Sequence, residues 1–291
     1  MNKNMVVSVN PHIYAGQTTQ TIMRDVLIAL FPAVIASIVF FGVQALLVEV
    51  VCVAVAVLCE WAFEKITGRP VTILDCSAAV TGLILALNLP VNIPLWQAVF
   101  GSFVAIVVVK QLFGGIGQNF ANPAITARVI MLVAFSGAMT TWAPAAFSNA
   151  PVDAATAATP LAILSGAEGE LPTLAQMFLG ARGGSLGETS CLALLLGFAY
   201  LLYRQVITWH TPVAFIGTVL VCTALLGRQP LYQVMAGGLF LGAIFMATDY
   251  TTSPPTPKGR LIFGLGCGLI TVLIRVWGNF PEGVSFSILL M

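Results

Sequence analysis

Residues 22–43 read IMRDVLIALFPAVIASIVFFGV, and residues 45–63 read ALLVEVVCVAVAVLCEWAF. Each is a run of about 20 predominantly apolar residues, enough helix at about 1.5 Å per residue to cross about 30 Å of hydrocarbon. Seven further runs follow, at 73–89, 95–113, 123–139, 188–204, 209–226, 231–248 and 261–277. A tenth begins at Val284 and ends at Met291, too short to span, so it is either cut short or pairs with a neighbouring helix. The runs predict an all-α integral membrane protein of about ten transmembrane helices.

Composition agrees. Of 291 residues, 58% are apolar and 8% are charged, whereas a soluble domain devotes about a quarter to Asp, Glu, Lys and Arg, and disordered chains are poorer still in apolar residues. The mean hydropathy is +0.97. A formal charge of +1 with two histidines offers no basic stripe, which excludes a nucleic-acid binder. The residues before 22 are mixed polar, with no apolar core of a removable signal peptide, so the first span is expected to serve as the insertion signal.

Orientation follows from the cations. With the N-terminus cytoplasmic, the inner ends collect Lys3, Arg24, Lys65, Arg69, Lys110, Arg128, Arg204, Lys258 and Arg260, and the outer ends Arg182, Arg228 and Arg275. The chain then divides into a cytoplasmic segment at 1–21, a first membrane half at 22–139, an external loop at 140–187 and a second membrane half at 188–291.

The halves are related. Pro94-Leu95-Trp96-Gln97 recurs as Pro230-Leu231-Tyr232-Gln233, and Gly101 matches Gly237 at the same offset of 136 residues. Each copy opens a span that ends in Gly/Pro-rich sequence, GGIGQNFANPA at 114–124 and DYTTSPPTPKG at 249–259. The matched spans point the same way, so the repeats are parallel. Interrupted segments at corresponding positions are where a membrane protein presents backbone N–H and C=O to a ligand. Asn119 and Asn122 of the first loop, with Asp249, Thr251 and Thr252 of the second, are therefore candidate ligand contacts. Plain cytoplasmic turns are the alternative.

The external loop holds DAATAATPL at 153–161. Pro160 disfavours the helical region for Thr159 and holds it extended among small residues, where a modifying enzyme can reach its hydroxyl; ordinary loop composition is the alternative reading of such an Ala/Thr/Pro stretch. The pattern Asp153-x-x-Thr156-x-Ala-Thr159 resembles the recognition motif of the flavin transferase that joins FMN through its phosphate to the final threonine. The chain also resembles the D subunits of Rnf complexes, in NPHIYAGQTTQTIMRDVLIALFPA at 10–33, FGGIGQNFANPA at 113–124, GSLGETS at 184–190, WHTPVAF at 209–215 and MATDYTTSP at 246–254. Ala157 departs from the glycine common in that motif.

The resemblance implies an FMN-carrying component that passes electrons between ferredoxin and NAD in a complex coupled to Na⁺ or H⁺ movement. The cofactor would be FMN on Thr159 by a phosphoester, with a second, non-covalent flavin such as riboflavin near the paired loops. Implied partners are the other Rnf subunits: the A and E membrane subunits, the flavin-bearing G subunit, and the B and C subunits on the ferredoxin and NAD side. The transferase during maturation and the lipid of the cytoplasmic (inner) membrane complete the set. The B subunit of the sodium-pumping NADH:quinone reductase is the nearest alternative, although its N-terminal region is longer. A small-solute channel of urea-channel-like fold, without redox chemistry, is another, since duplicated bundles with broken helices also build carriers.

Beside this motif, Ser185-Leu186-Gly187-Glu188 has capping-box spacing at the start of the sixth span, next to Thr189. A helix N-terminus flanked by Gly183, Gly184 and Gly187 is a candidate seat for the FMN phosphate, with a plain helix cap that binds no ligand as the alternative. Six scattered cysteines lack any Cys-x-x-Cys pair, so no metal site is expected within the chain. His12 and His210 read as hydrogen-bonded interfacial residues. Glu49, Lys110 and Asp249, charged near membrane depth, are functional suspects, with structural pairing at a helix end as the equal alternative.

Overall fold

A computed structural model describes residues 18–146, 158–278 and 282–291. All regular structure among them is helical. Helix α1 (Thr19–Phe41) starts at a capping box in which Thr18 and Thr21 satisfy each other's backbone N–H. Gly42, at φ +73°, reverses the chain into α2 (Val43–Thr67) without a Cβ to oppose that conformation. Helix α3 (Ser77–Leu87), α4 (Leu95–Phe103), α5 (Pro123–Ala134) and the short α6 (Ser136–Met139) complete the first half. The connecting region contributes α7 (Pro160–Leu164) and α8 (Leu174–Leu179). The second half comprises α9 (Cys191–Tyr203), α10 (His210–Leu225), α11 (Pro230–Met235), α12 (Leu239–Leu241), α13 (Pro257–Trp277) and α14 (Val284–Leu290).

Among the described helices, only α1, α2 and α13 are both long and apolar enough to cross a membrane. The runs at 73–89, 123–139, 188–204 and 231–248 instead give helices over 77–87, 123–134, 191–203 and a broken 230–246. Hydropathy cannot separate a spanning helix from a shorter one buried among others, because both are apolar. Between the short helices the backbone is irregular yet buried, notably at Asn88–Val91 and Gly180–Ser190. Such backbone is tolerated at membrane depth only where protein satisfies it. The Leu186 and Gly187 N–H groups donate to the carbonyls of Leu89 and Leu87 at 3.1 and 2.8 Å, joining the two segments. Helix α14 packs against α5 and α13, and Thr271 of α13 donates to Ser287 at 2.8 Å, so the tenth run does pair with its neighbours.

The repeat survives in three dimensions. Helix α4 runs on into a π-helical segment at Val104–Gln111, and α12 runs into another at Gly242–Met246, at matching positions. Both then enter the Gly/Pro-rich loops, and both following helices open on proline, Pro123 in α5 and Pro257 in α13. The loops touch each other, with the Asn119 amide donating to Thr251 Oγ1 at 3.0 Å and the Asn122 amide to the Met246 carbonyl at 3.3 Å. Matched spans thus end at one place, as parallel repeats require. The copies differ at the shared glycine: α4 continues through Gly101, whereas Gly237 adopts φ +64° and breaks α11 from α12.

At one end of the bundle, Asp25 of α1 accepts from Tyr200 at 2.9 Å and Arg204 at 3.1 Å, and Arg69 donates to the Gln111 carbonyl at 3.0 Å. At the other, the Ala146 N–H meets the Phe40 carbonyl at 2.8 Å, and Trp96 packs edge-on to Phe135 with centroids 5.1 Å apart. Arg128, Lys110, Arg182 and Arg275 are expected from the sequence at membrane surfaces, but the first three are buried and Arg275 is partly so. Each meets a carboxylate or the free carbonyls of irregular backbone, partners that hydropathy does not reveal.

Candidate functional site

Thr159 holds the extended conformation expected before proline, φ −71° and ψ 153°, and N-caps α7 by accepting the Ala162 N–H at 3.2 Å. Its hydroxyl proton has no acceptor among the described residues. Pro160 at the first helical position and Leu161, packed onto Gly237, anchor the cap to the break between α11 and α12. A Cβ at Gly237 would stand 2.6 Å from Leu161 Cδ1, so this approach requires glycine.

Thr159 opens onto a narrow cleft walled by Arg182, Gly183, Gly184, Glu188, Thr189 and Glu282. The turn at 182–189, Gly237 and Glu282 are thereby brought to the threonine in one site. Arg182, which spacing did not single out, is the central side chain. Its Nε donates to the Thr189 carbonyl at 3.1 Å and its Nη2 to the Glu188 carbonyl at 2.7 Å, fixing the irregular turn. Arg275 likewise holds the carbonyls of Gln233 and Ala236, at 2.6 and 3.1 Å, where α11 ends. Arg128 pairs with Glu188 at 3.0 Å and with Glu282, and also donates to Asn88 and Ser285, each at 2.9 Å. Arg182, Glu188 and Glu282 line the cleft itself; with Arg128 and Arg275 behind it, three guanidinium groups face two carboxylates, one formal positive charge in excess in the cluster as a whole.

The capping box does not form. Helix α9 begins at Cys191, and its N-cap is Ser190, whose side chain accepts the Ala193 N–H at 3.3 Å. Glu188 is drawn away by Arg128, and Ser185 Oγ is buried without a partner, as is Thr189 Oγ1, among the described residues. Gly187 is not open to an anion either: a Cβ there would lie 2.6 Å from Leu87 Cβ, so it serves the close approach of α3. Gly184 is open, with nothing nearer than 3.8 Å to its Cβ position. Asp153, Thr156 and His12 lie outside the described residues. His210 stacks on Trp209, and its Nδ1 is buried without a partner among the described residues, so the expected hydrogen bond is not seen.

At the Asp25 end, the paired loops border a cavity of about 380 Å³, within the range of small-ligand sites. Asn119, Asn122, Asp249 and Thr251 line it, joined by Ser77 and Lys110. Asp249 accepts from the hydroxyls of Thr251 and Thr252 at 3.0 and 3.2 Å, but Thr252 stands outside the lining. Asn122 spends its carbonyl oxygen capping α5, on the N–H groups of Ala124 and Ile125. Lys110 Nζ donates to Glu60 Oε1 and Ser77 Oγ, both at 2.6 Å, keeping an ammonium buried in the wall.

Fold and site together define a multi-span membrane protein of two repeated halves, with a cleft walled by Arg182 and two glutamates beneath a loop threonine. The chain belongs to the NQR2, RnfD, RnfE family, which it matches over residues 6–291. It is 46% identical over 99% of its length to the D subunit of the Na⁺-translocating ferredoxin:NAD⁺ oxidoreductase complex of Acetobacterium woodii, covering 90% of that protein. It is 44% identical over its whole length to the D subunit of the proton-translocating complex of Clostridium ljungdahlii, covering 92% of it. The D subunit of the ion-translocating oxidoreductase complex of Vibrio cholerae is 35% identical over 98% of the chain, with 93% of that protein covered.

Proposed function

We propose that this chain is the D-type membrane component of an ion-translocating ferredoxin:NAD oxidoreductase complex, and that it carries FMN joined through its phosphate to Thr159. The observation that carries the reading is the pairing of a pre-proline threonine, whose hydroxyl proton has no acceptor among the described residues, with a cleft whose surrounding cluster of three arginines and two glutamates carries one positive charge in excess. A phosphodiester brings one negative charge. Arg182 and the open backbone at Gly184 would hold it, and the hydroxyl of Thr189, without a partner among the described residues, would donate to it. The donors present suit the group; the cleft itself holds about 10 Å³, room for about one water, so the phosphate would rest at its mouth beside Thr159 and not inside it.

When bound, the isoalloxazine ring accepts and passes on electrons, and the covalent tether replaces affinity by effective concentration. The chain's own part is to seat the phosphate, restrain the tether at the α7 cap and exclude water from the buried arginine–glutamate cluster. The cavity between the paired loops is the proposed seat of a second, non-covalent flavin, supported by its size and by Asn119, Lys110 and Thr251 as hydrogen-bonding groups.

The proposed orientation places the Asp25 end in the cytoplasm and Thr159 outside. Setting aside the four cations drawn into the interior strengthens the positive-inside argument. Arg24, Lys65, Arg69, Arg204, Lys258 and Arg260 remain at the Asp25 end, against Arg228 at the other. The partners in this reading are the other subunits of the complex and the flavin transferase.

The test is ultraviolet-excited fluorescence of the denatured chain on a gel after co-expression with the transferase, with mass spectrometry of the peptide spanning 153–161. Thr159→Ala is expected to lose the band, while Thr156→Ala keeps it and Thr189→Ala, which removes a donor to the phosphate but no attachment point, keeps it at reduced intensity. A flavin-free, colourless wild-type chain that moves solute in liposomes would overturn the reading in favour of a carrier.

A further inference from the structure

Glu49 lies on α2 seven residues beyond the Gly42 reversal, so about 10 Å of helix separates it from that end, within the apolar run. It is 2% exposed. Its Oε1 accepts the Ser37 hydroxyl at 2.6 Å, and its Oε2 has no partner among the described residues. Other acids that the bundle buries have a cation or two donors: Lys110 for Glu60, Arg128 for Glu188, Arg204 and Tyr200 for Asp25, and the backbone and hydroxyl of Thr72 for Glu64. Glu49 has one hydroxyl.

Glu49 also lines a cleft of about 430 Å³ on the outside of the α1–α2 hairpin. The remaining wall is apolar, with Leu27, Phe31 and Val34 from α1 and Leu46, Val50 and Val53 from α2. Phe31 and Val50 are 60% and 56% exposed. A lipid chain would fill this cleft but bring no donor, and an acid at this depth is costly without one. A symmetric contact with a second copy would bring only the same apolar face.

We propose that the α1–α2 cleft receives a transmembrane helix of another subunit, which places a basic or amide side chain on the free oxygen of Glu49. Apolar residues of that helix would pack between Phe31 and Val50, and the polar pair would fix its register. The inference rests on the reading of the chain as one component of a membrane complex.

The test uses the whole complex, purified in mild detergent through a tag on this chain, and photo-crosslinking in intact membranes from a benzophenone amino acid at position 50. Glu49→Leu is expected to lower the co-purifying subunits per mole of this chain about tenfold. Glu49→Gln, which keeps an acceptor oxygen, should stay within about twofold of wild type. The benzophenone at position 50 should capture another subunit, and the captured peptide should contain a basic or amide residue. Unchanged assembly of a folded Glu49→Leu chain overturns the proposal. So does crosslinking only to a second copy or to lipid, a result independent of whether the leucine variant folds. The Thr159 flavin band, scored in the same samples, separates the readings: its absence from wild type sinks the flavin assignment and leaves the crosslinking outcome unchanged.

Discussion

Arg128 Nη2 stands 3.0 Å from Glu188 Oε1, and the two side chains are 5% and 3% exposed. The same guanidinium reaches Glu282, Asn88 and Ser285, so one side chain of α5 ties together the end of α3, the irregular turn before α9 and the start of α14. Removing it leaves two carboxylates without that cation in a low-dielectric interior. Arg128→Met is therefore expected to cost about 3–5 kcal/mol. Glu188→Gln should cost less, because Arg128 retains Glu282. Thermal unfolding of the detergent-solubilised chain measures both, and equal melting temperatures for the two variants would contradict this account.

The glycines of the same turn divide by what surrounds them. A methyl group at Gly187 would meet Leu87 Cβ at 2.6 Å and Cδ2 at 3.0 Å, whereas at Gly184 the nearest atom is 3.8 Å away. Gly187→Ala should destabilise by about 1–3 kcal/mol through overpacking, and Gly184→Ala by no more than about 0.5 kcal/mol. Thermal unfolding again gives the comparison. A Gly187→Ala chain of wild-type stability that fails to take up flavin would show that Gly187 touches the anion instead of α3.

What was legible in the sequence was local or repeated. The extended Thr159 follows from the proline beside it, and the meeting of the two loops follows from the offset that relates Gly101 to Gly237. The helix caps were less accessible: Ser185 and Glu188 have the spacing of a capping box, but spacing takes no account of Arg128, 60 residues from Glu188 in the chain. Glu282, 154 residues from Arg128, enters the cluster in the same way. Long-range ion pairing redirected a local motif. Ion pairing likewise holds Lys110 and Arg128 away from the expected surfaces, whereas Arg182 and Arg275 are kept inward by the carbonyls of interrupted backbone. Hydropathy also merged spanning helices with short buried ones, since it records what a segment avoids and not what surrounds it.

Arg182 fixes the cleft through a fork, Nε on the Thr189 carbonyl and Nη2 on the Glu188 carbonyl, at 3.1 and 2.7 Å. Lysine offers a point charge without that planar pair of donors. Arg182→Lys is therefore expected to keep much of the charge yet lose the turn geometry, lowering flavin on Thr159 by about tenfold, equivalent to about 1.4 kcal/mol of differential interaction. Fluorescence per mole of chain, after co-expression with the transferase, is the measurement. Full incorporation in Arg182→Lys would show that the fork is not needed, and full incorporation in Arg182→Ala would remove the arginine from the site altogether.

Lys110 and Glu60 offer a test of whether buried charge is retained for stability. Their contact is 2.6 Å, with side chains 4% and 1% exposed, and Gln111 adds a donor to the same Glu60 oxygen at 2.7 Å. Lys110→Met strands the carboxylate and should cost about 3–5 kcal/mol, but the pair also carries a desolvation penalty that an apolar replacement avoids. The double variant Lys110→Met, Glu60→Leu is therefore expected to recover most of the loss, a strongly non-additive cycle. Stability recovered together with lost flavin binding in the cavity that Lys110 lines would mean that the charges serve the ligand. Additive losses in the double variant would mean instead that the pair holds α2 to the π-helical segment beyond α4, and that the ammonium's place in the cavity wall follows from packing.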